Sequence, residues 1–135
     1  MMSNLTMLID GEGMDDIKNL SPSVLCFVGD AVYGLKVRTY LANINRPSAE
    51  LHKESVKWVN ASAQAKAFSV IESVLTEEET AVFKRGRNFH TSSVPKNATR
   101  KDYSTATGLE ALFGYLYLSK REERINELFE LIKNN

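Results

Sequence analysis

A single cysteine, Cys26, stands in this chain of 135 residues, so no internal disulfide can form and no thiolate zinc cluster can be built; one thiol suits a reducing compartment. Histidine is scarce too. His52 and His90 are the only two, and neither has an adjacent Asp of the kind a His/Asp phosphohydrolase uses; His52 reads as a surface or satisfied helix residue and His90 as an incidental loop residue. No apolar run reaches the ~18 residues that a membrane-spanning helix needs. The opening, Met1 to Asp10, lacks the positive segment of a secretory signal, so a cytoplasmic protein with no membrane partner is expected. Net charge is missing as well: 17 basic residues balance 17 acidic ones, which by itself argues against a nucleic-acid partner. The distribution of those charges says otherwise.

With 43% hydrophobic residues and only 3 Pro and 7 Gly, the chain has the size and composition of one domain whose core forms without staples. Residues 1–20 are polar and acidic and read as a lead-in with one short helical turn; residues 21–135 read as the domain. Ser21-Pro22 is a strong helix start, because Ser caps orphan amides and Pro is tolerated in the first turn. The helical pattern then runs to about Ile44, with Leu25, Val28, Val32 and Leu35 on one stripe and Cys26, Asp30, Tyr33 and Val37 on the next. Pro47 opens a second helix with Leu51, Val56 and Val59 as core candidates. An Ala/Ser-rich third follows, with Ala61, Ala65, Phe68 and Ile71 inward. Thr76 and Glu79 form a capping-box pattern for a short helix ending near Lys84 to Gly86. Between Arg87 and Tyr103 loop formers dominate. An apolar helix over Thr105–Leu118 and an amphipathic one over Glu122–Ile132 complete the chain. No alternating strand pattern occurs, so the fold class is all-α.

One phrase occurs twice: Asp30-Ala31-Val32-Tyr33-Gly34 and Glu110-Ala111-Leu112-Phe113-Gly114. Each sets an acid in an apolar helical run, where a buried carboxylate costs several kcal/mol unless it is paired or holds a metal. No Lys or Arg is placed to pair with either acid along its own helix. Glycine four residues after each acid costs ~1 kcal/mol of helix propensity, a loss that close crossing of the two helices would explain. Crossing would bring Asp30 and Glu110 together, and two facing carboxylates call for a shared proton or a divalent cation. Oxygen-only donors favour Mg²⁺, with Mn²⁺ as a substitute, over zinc; the chemistry would be metal-activated water attacking a phosphodiester. An acid among apolar residues can equally cap a neighbouring helix, pair with a distant arginine or point out through a gap in the core.

Lys84, Arg85, Arg87, Lys96, Arg100 and Lys101 are concentrated in one segment with no acid until Asp102. Together with Asn88 and Asn97 they are candidate contacts to phosphates and 2′-hydroxyls of RNA. The same composition also describes a solvated loop.

At Val28-Gly29-Asp30-Ala31-Val32 the chain resembles the signature helix of the ribonuclease III family, and Glu110-Ala111-Leu112-Phe113-Gly114-Tyr115 resembles that family's second catalytic helix. The run Lys84-Arg85-Gly86-Arg87-Asn88, the segment Pro95-Lys96-Asn97 and the absence of a double-stranded-RNA-binding domain look more narrowly like the Mini-ribonuclease III subfamily. The resemblance spans roughly residues 20–132. It implies an all-helical endonuclease domain acting as a homodimer on double-stranded RNA with Mg²⁺, with one cleavage centre for each strand and 5′-phosphate and 3′-hydroxyl products. In this subfamily it implies maturation of the large-subunit (23S) ribosomal RNA precursor, with a ribosomal protein as a candidate partner. By position, Asp30 and Glu110 would be the catalytic, metal-holding acids. Two acids of the larger family are replaced, by Cys26 and Thr107, which predicts metal binding that depends on RNA phosphate. That loss keeps open a binding or ribosome-assembly module that does not cleave. A helical nucleotide pyrophosphohydrolase is a third reading; Glu77-Glu78-Glu79 suits one superficially but is explained by helix-dipole capping.

Overall fold

The computed structural model describes residues 16–17, 19–89, 94, 96 and 98–135. Most of the lead-in, together with His90, Pro95 and Asn97, lies outside the described residues. The described chain forms α1 (Pro22–Leu41), α2 (Ser48–Val59), α3 (Ala61–Ile71), α4 (Glu77–Arg87), α5 (Arg100–Leu118) and α6 (Glu122–Lys133), with short 3₁₀ turns at Ala42–Ile44 and Glu72–Val74. The all-α expectation holds, with no strand among the described residues.

Local chemistry sets most helix starts. The Ser21 hydroxyl accepts from the Val24 amide at 3.4 Å, with Pro22 in the first turn. At α4 the capping box closes in both directions, Glu79 N–H to the Thr76 hydroxyl at 3.1 Å and Thr76 N–H to the Glu79 carboxylate at 2.9 Å. Helix α5 begins five residues before the expected Thr105, because Thr99 accepts from the Asp102 amide at 3.0 Å and nucleates a turn inside the segment that composition marks as loop. Arg100 and Lys101 are therefore helical.

Helix α5 is the centre of the domain. Packed by α1, α3, α4 and α6, it buries Ala106, Gly108, Leu109 and every residue from Ala111 to Leu116, which explains why its sequence is apolar all round. Phe113 and Tyr115 thus belong to the core, while Tyr117 is half-buried. Tyr33 meets Phe113 and Phe129 edge-on, with centroids 5.2 and 5.9 Å away, and Phe68 stacks on Phe83 at 3.7 Å. The α4–α6 contact is polar: the buried Glu79 carboxylate takes the Arg124 guanidinium on both oxygens, at 2.8 and 2.9 Å, and Arg124 also donates to the Val74 carbonyl.

Three helices present a different face from the expected one. In α1 the buried set is Leu25, Gly29, Val32, Tyr33, Val37 and Leu41, whereas Leu35 is exposed. Helix α2 turns Ser55 and the half-buried Trp58 inward and leaves Val56 and Val59 exposed, because the large indole docks between Tyr40 and Phe129. On α3, Gln64 and Ala67 join Phe68 and Ile71 inside, while Ala61 and Ala65 are only half-buried.

Candidate active site

The site is built on the α1–α5 crossing, where the two backbones touch. A Cβ on Gly29 would lie 1.6 Å from the Glu110 carbonyl oxygen, and one on Gly114 would lie 2.0 Å from the Leu25 carbonyl oxygen. Close approach is thus real, but the glycine on α1 that permits it precedes the acid instead of following it. Nothing lies within 4 Å of a Cβ on Gly34. Gly29 shares the buried face of Leu25 and Tyr33 at helical spacing, and Gly34 does not.

The crossing brings the two acids together from opposite strips of chain. Asp30 is exposed and Glu110 half-buried, so only one of them bears a substantial desolvation cost. Burial, then the charge of Asp30 and a hydrogen bond shared with it, push the Glu110 carboxyl up to about 7, against the opposing pull of the Gln64 amide. Gln64 Nε2 donates to Glu110 Oε2 at 3.4 Å. The two positions that carry acids in the larger family also meet here: Cys26 Sγ donates to the Thr107 carbonyl at 3.1 Å. Burial, then the Glu110 charge, push the Cys26 thiol up to about 12, so it offers no thiolate near neutral pH. Among the described residues no group of three or more His, Cys, Asp and Glu side chains converges; the acids stand as a pair.

Two cavities flank that pair. One, of about 570 Å³, is lined by Cys26, Gln64, Phe89, Tyr103, Thr107 and Glu110 among others. The second, of about 360 Å³, includes Asp30, Gly34, Arg38, Ser55 and Gln64. The hard oxygen donors of Asp30 and Glu110, with no ammonium or guanidinium bonded to either acid among the described residues, suit a divalent ion such as Mg²⁺, which commonly uses one or two carboxylates and completes its shell with water and phosphate.

The basic segment divides. Arg87 and Lys101 line one cleft with Lys66 of α3, and Arg87 also sits over the Phe83 ring at 5.9 Å and donates to Asn88 Oδ1. Lys84, Asn88, Lys96 and Arg100 are exposed. Arg85 is half-buried and turns inward, its guanidinium donating to the Leu20 carbonyl at 2.7 Å. Asn97 lies outside the described residues. Sequence reasoning passed over Lys66 and Gln64. The signal for Gln64 was its phase: it lies four and seven residues before Phe68 and Ile71, at an inward position in an Ala-rich helix.

This arrangement has relatives. The profile of the ribonuclease III domain matches residues 23–121. The chain is 43% identical over 121 residues to the Mini-ribonuclease 3 of Clostridium tetani, covering 88% of this chain and 80% of that protein. It is 46% identical over 127 residues to the Mini-ribonuclease 3 of a Thermoanaerobacter species, covering 93% and 87%. A crystal structure of a Fusobacterium nucleatum protein superposes with a TM-score of 0.79 at 32% identity, covering 85% of this chain and 94% of that one. With the domain profile spanning both acids and these relatives matching nearly end to end, the chain belongs to the Mini-ribonuclease 3 family, ribonucleases built on the ribonuclease III domain.

Proposed function

We propose that the chain is a Mg²⁺-dependent endoribonuclease specific for double-stranded RNA, with Asp30 and Glu110 as its catalytic, metal-holding acids and Mn²⁺ able to substitute. The observation that carries this reading is the convergence of the two carboxyls at the Gly29–Gly114 crossing, with Glu110 pushed up to about 7 by burial and by Asp30. When bound, Mg²⁺ would lower the pKa of an attacking water and stabilise charge on the phosphodiester. Asp30 and Glu110 would bind the ion through their carboxylates, and the rigid backbone contact beneath them would keep their spacing constant. The larger cavity beside Glu110 leaves room for substrate. Lys66, Arg87 and Lys101 would neutralise phosphates farther along the duplex, the last lying nine residues up α5 from Glu110, about 14 Å away at 1.5 Å per residue. The products would carry a 5′-phosphate and a 3′-hydroxyl.

A homodimer fits this reading. Phe27 of α1 is 81% exposed, and Val24, Ala31 and Leu35 continue the same stripe at three- and four-residue steps. An exposed apolar face of this kind on the helix that carries Asp30 suits a second copy, which would provide one centre for each strand. For the biological substrate we propose the precursor of large-subunit (23S) ribosomal RNA in the cytoplasm, presented with a ribosomal protein.

The test is direct. Wild type, Asp30→Asn and Glu110→Gln are each incubated with a long RNA duplex and Mg²⁺. Cleavage by wild type alone, with RNA binding retained by all three, is expected. Binding without cleavage by any of them would reduce the chain to an RNA-binding module of the same fold.

A further inference from the structure

Gln64 is the one amide side chain fully enclosed among the described residues, only 3% exposed on a helix whose other inward positions are Ala67, Phe68 and Ile71. Placing an amide at such a position is unfavourable unless its polar atoms find partners. Its partner is Glu110, reached from α3, a helix that carries neither acid. Gln64 also lines both cavities, the one that contains Glu110 and the one that contains Asp30, as does Val59.

We infer that Gln64 is a positioning residue of this site, its Nε2–H holding the Glu110 carboxylate in the orientation that faces Asp30. The chemistry explains the residue type. A carboxylate that must both face another acid and receive a cation needs a donor to fix its rotamer, but a Lys or Arg there would neutralise the pair and compete with the ion. An amide donates without adding charge. The separation of 3.4 Å is at the long end for a hydrogen bond, as is common for catalytic contacts that tighten only when the ligand arrives.

This inference rests on the assignment of Asp30 and Glu110 as the metal-holding pair, and its test separates the two. Gln64→Met keeps length and bulk but removes the donor; Gln64→Leu removes it with a second apolar shape. Single-turnover cleavage of an RNA duplex is measured for both beside wild type and Asp30→Asn. Mn²⁺ binding is followed by electron paramagnetic resonance in the presence of the cleaved duplex, which cannot react further. Gln64→Met should lose about 10- to 100-fold in rate at saturating RNA and bind Mn²⁺ more weakly by a similar factor, with little change in the RNA concentration at half-saturation. Its melting temperature should stay near that of wild type. Gln64→Leu should also be slow, and it decides the matter if Gln64→Met fails to fold. Wild-type rates in the folded variants, or a lowered melting temperature with an unchanged rate per folded molecule, would overturn the positioning role. If Asp30→Asn is inactive and Gln64→Met is not impaired, only this inference fails. If Asp30→Asn cleaves like wild type, the assignment beneath it fails.

Discussion

Gly29→Ala should destabilise the fold by about 3 kcal/mol or more, while Gly34→Ala on the same helix should stabilise it. At Gly29 the new methyl would meet three backbone atoms: the Glu110 oxygen at 1.6 Å, the Glu110 carbonyl carbon at 2.5 Å and the Gly114 nitrogen at 2.9 Å. Non-bonded atoms pack comfortably only at about 3.5 Å. Helices α1 and α5 would have to part by roughly 2 Å along that line, a large fraction of the slack in an interaxial distance of 8–10 Å. Overpacking that side chains can absorb costs about 1–3 kcal/mol; here no flexible side chain is available to yield, so the cost lies at or beyond the top of that range. The improved helix propensity of alanine returns only about 1 kcal/mol. At Gly34 the propensity gain is all that remains, because no atom lies within 4 Å. Urea unfolding at one protein concentration, with m-values compared across variants, measures both changes. Cleavage activity should fall with Gly29→Ala beyond the loss of folded protein, since the Glu110 backbone is what the methyl displaces. A Gly29→Ala variant within about 0.5 kcal/mol of wild type, or one more stable than Gly34→Ala, would refute the crossing geometry as the basis of the site.

Other consequences separate the residues by role. Arg87→Ala with Lys101→Ala should flatten the salt dependence of RNA binding by about two phosphate equivalents, measured as the slope of log affinity against log salt. Arg85→Ala should instead appear in the unfolding midpoint, because its guanidinium holds the Leu20 carbonyl. Phe27→Glu should leave the fold intact, since that ring is 81% exposed, and should sediment as a monomer, whereas the proposed homodimer predicts a dimer for wild type. Burial raises the pKa of Glu79, but the Arg124 hydrogen bonds, the Thr76 amide and the charges of Arg124 and Arg121 outweigh it and hold the carboxyl below its ordinary value. Its contribution is therefore complete above the usual carboxylate range and fades as pH falls through the lowered folded value. Glu79→Gln should cost about 3 kcal/mol at pH 7 and remove that part of the acid sensitivity of the urea midpoint.

Much of the helix inventory was legible because its signals are local. Ser21-Pro22 and the Thr76/Glu79 box act within one turn of themselves, and both appear where the sequence places them. The Thr99 cap was equally local but was hidden among loop formers, and missing it made Arg100 and Lys101 loop residues when they belong to a helix. Core phase was harder to read. Which of Leu35, Val56 or Val59 faces solvent depends on what the neighbouring helix offers, and the Trp58 indole between Tyr40 and Phe129 claimed the inward position on α2.

From the sequence alone came the all-α class, the two acids set in matching apolar phrases, the family they resemble and the clustering of positive charge. Only the tertiary structure decided that Gly29 and not Gly34 makes the crossing, that Asp30 is open to solvent while Glu110 is half-buried, that Arg85 is a structural donor, and that Gln64 reaches Glu110 from a third helix. The physical reason is range. Caps, periodicity and residue chemistry are properties of a few neighbouring residues, whereas the spacing of two carboxylates is set by how closely two backbones pack when residues some eighty positions apart in sequence are brought into contact.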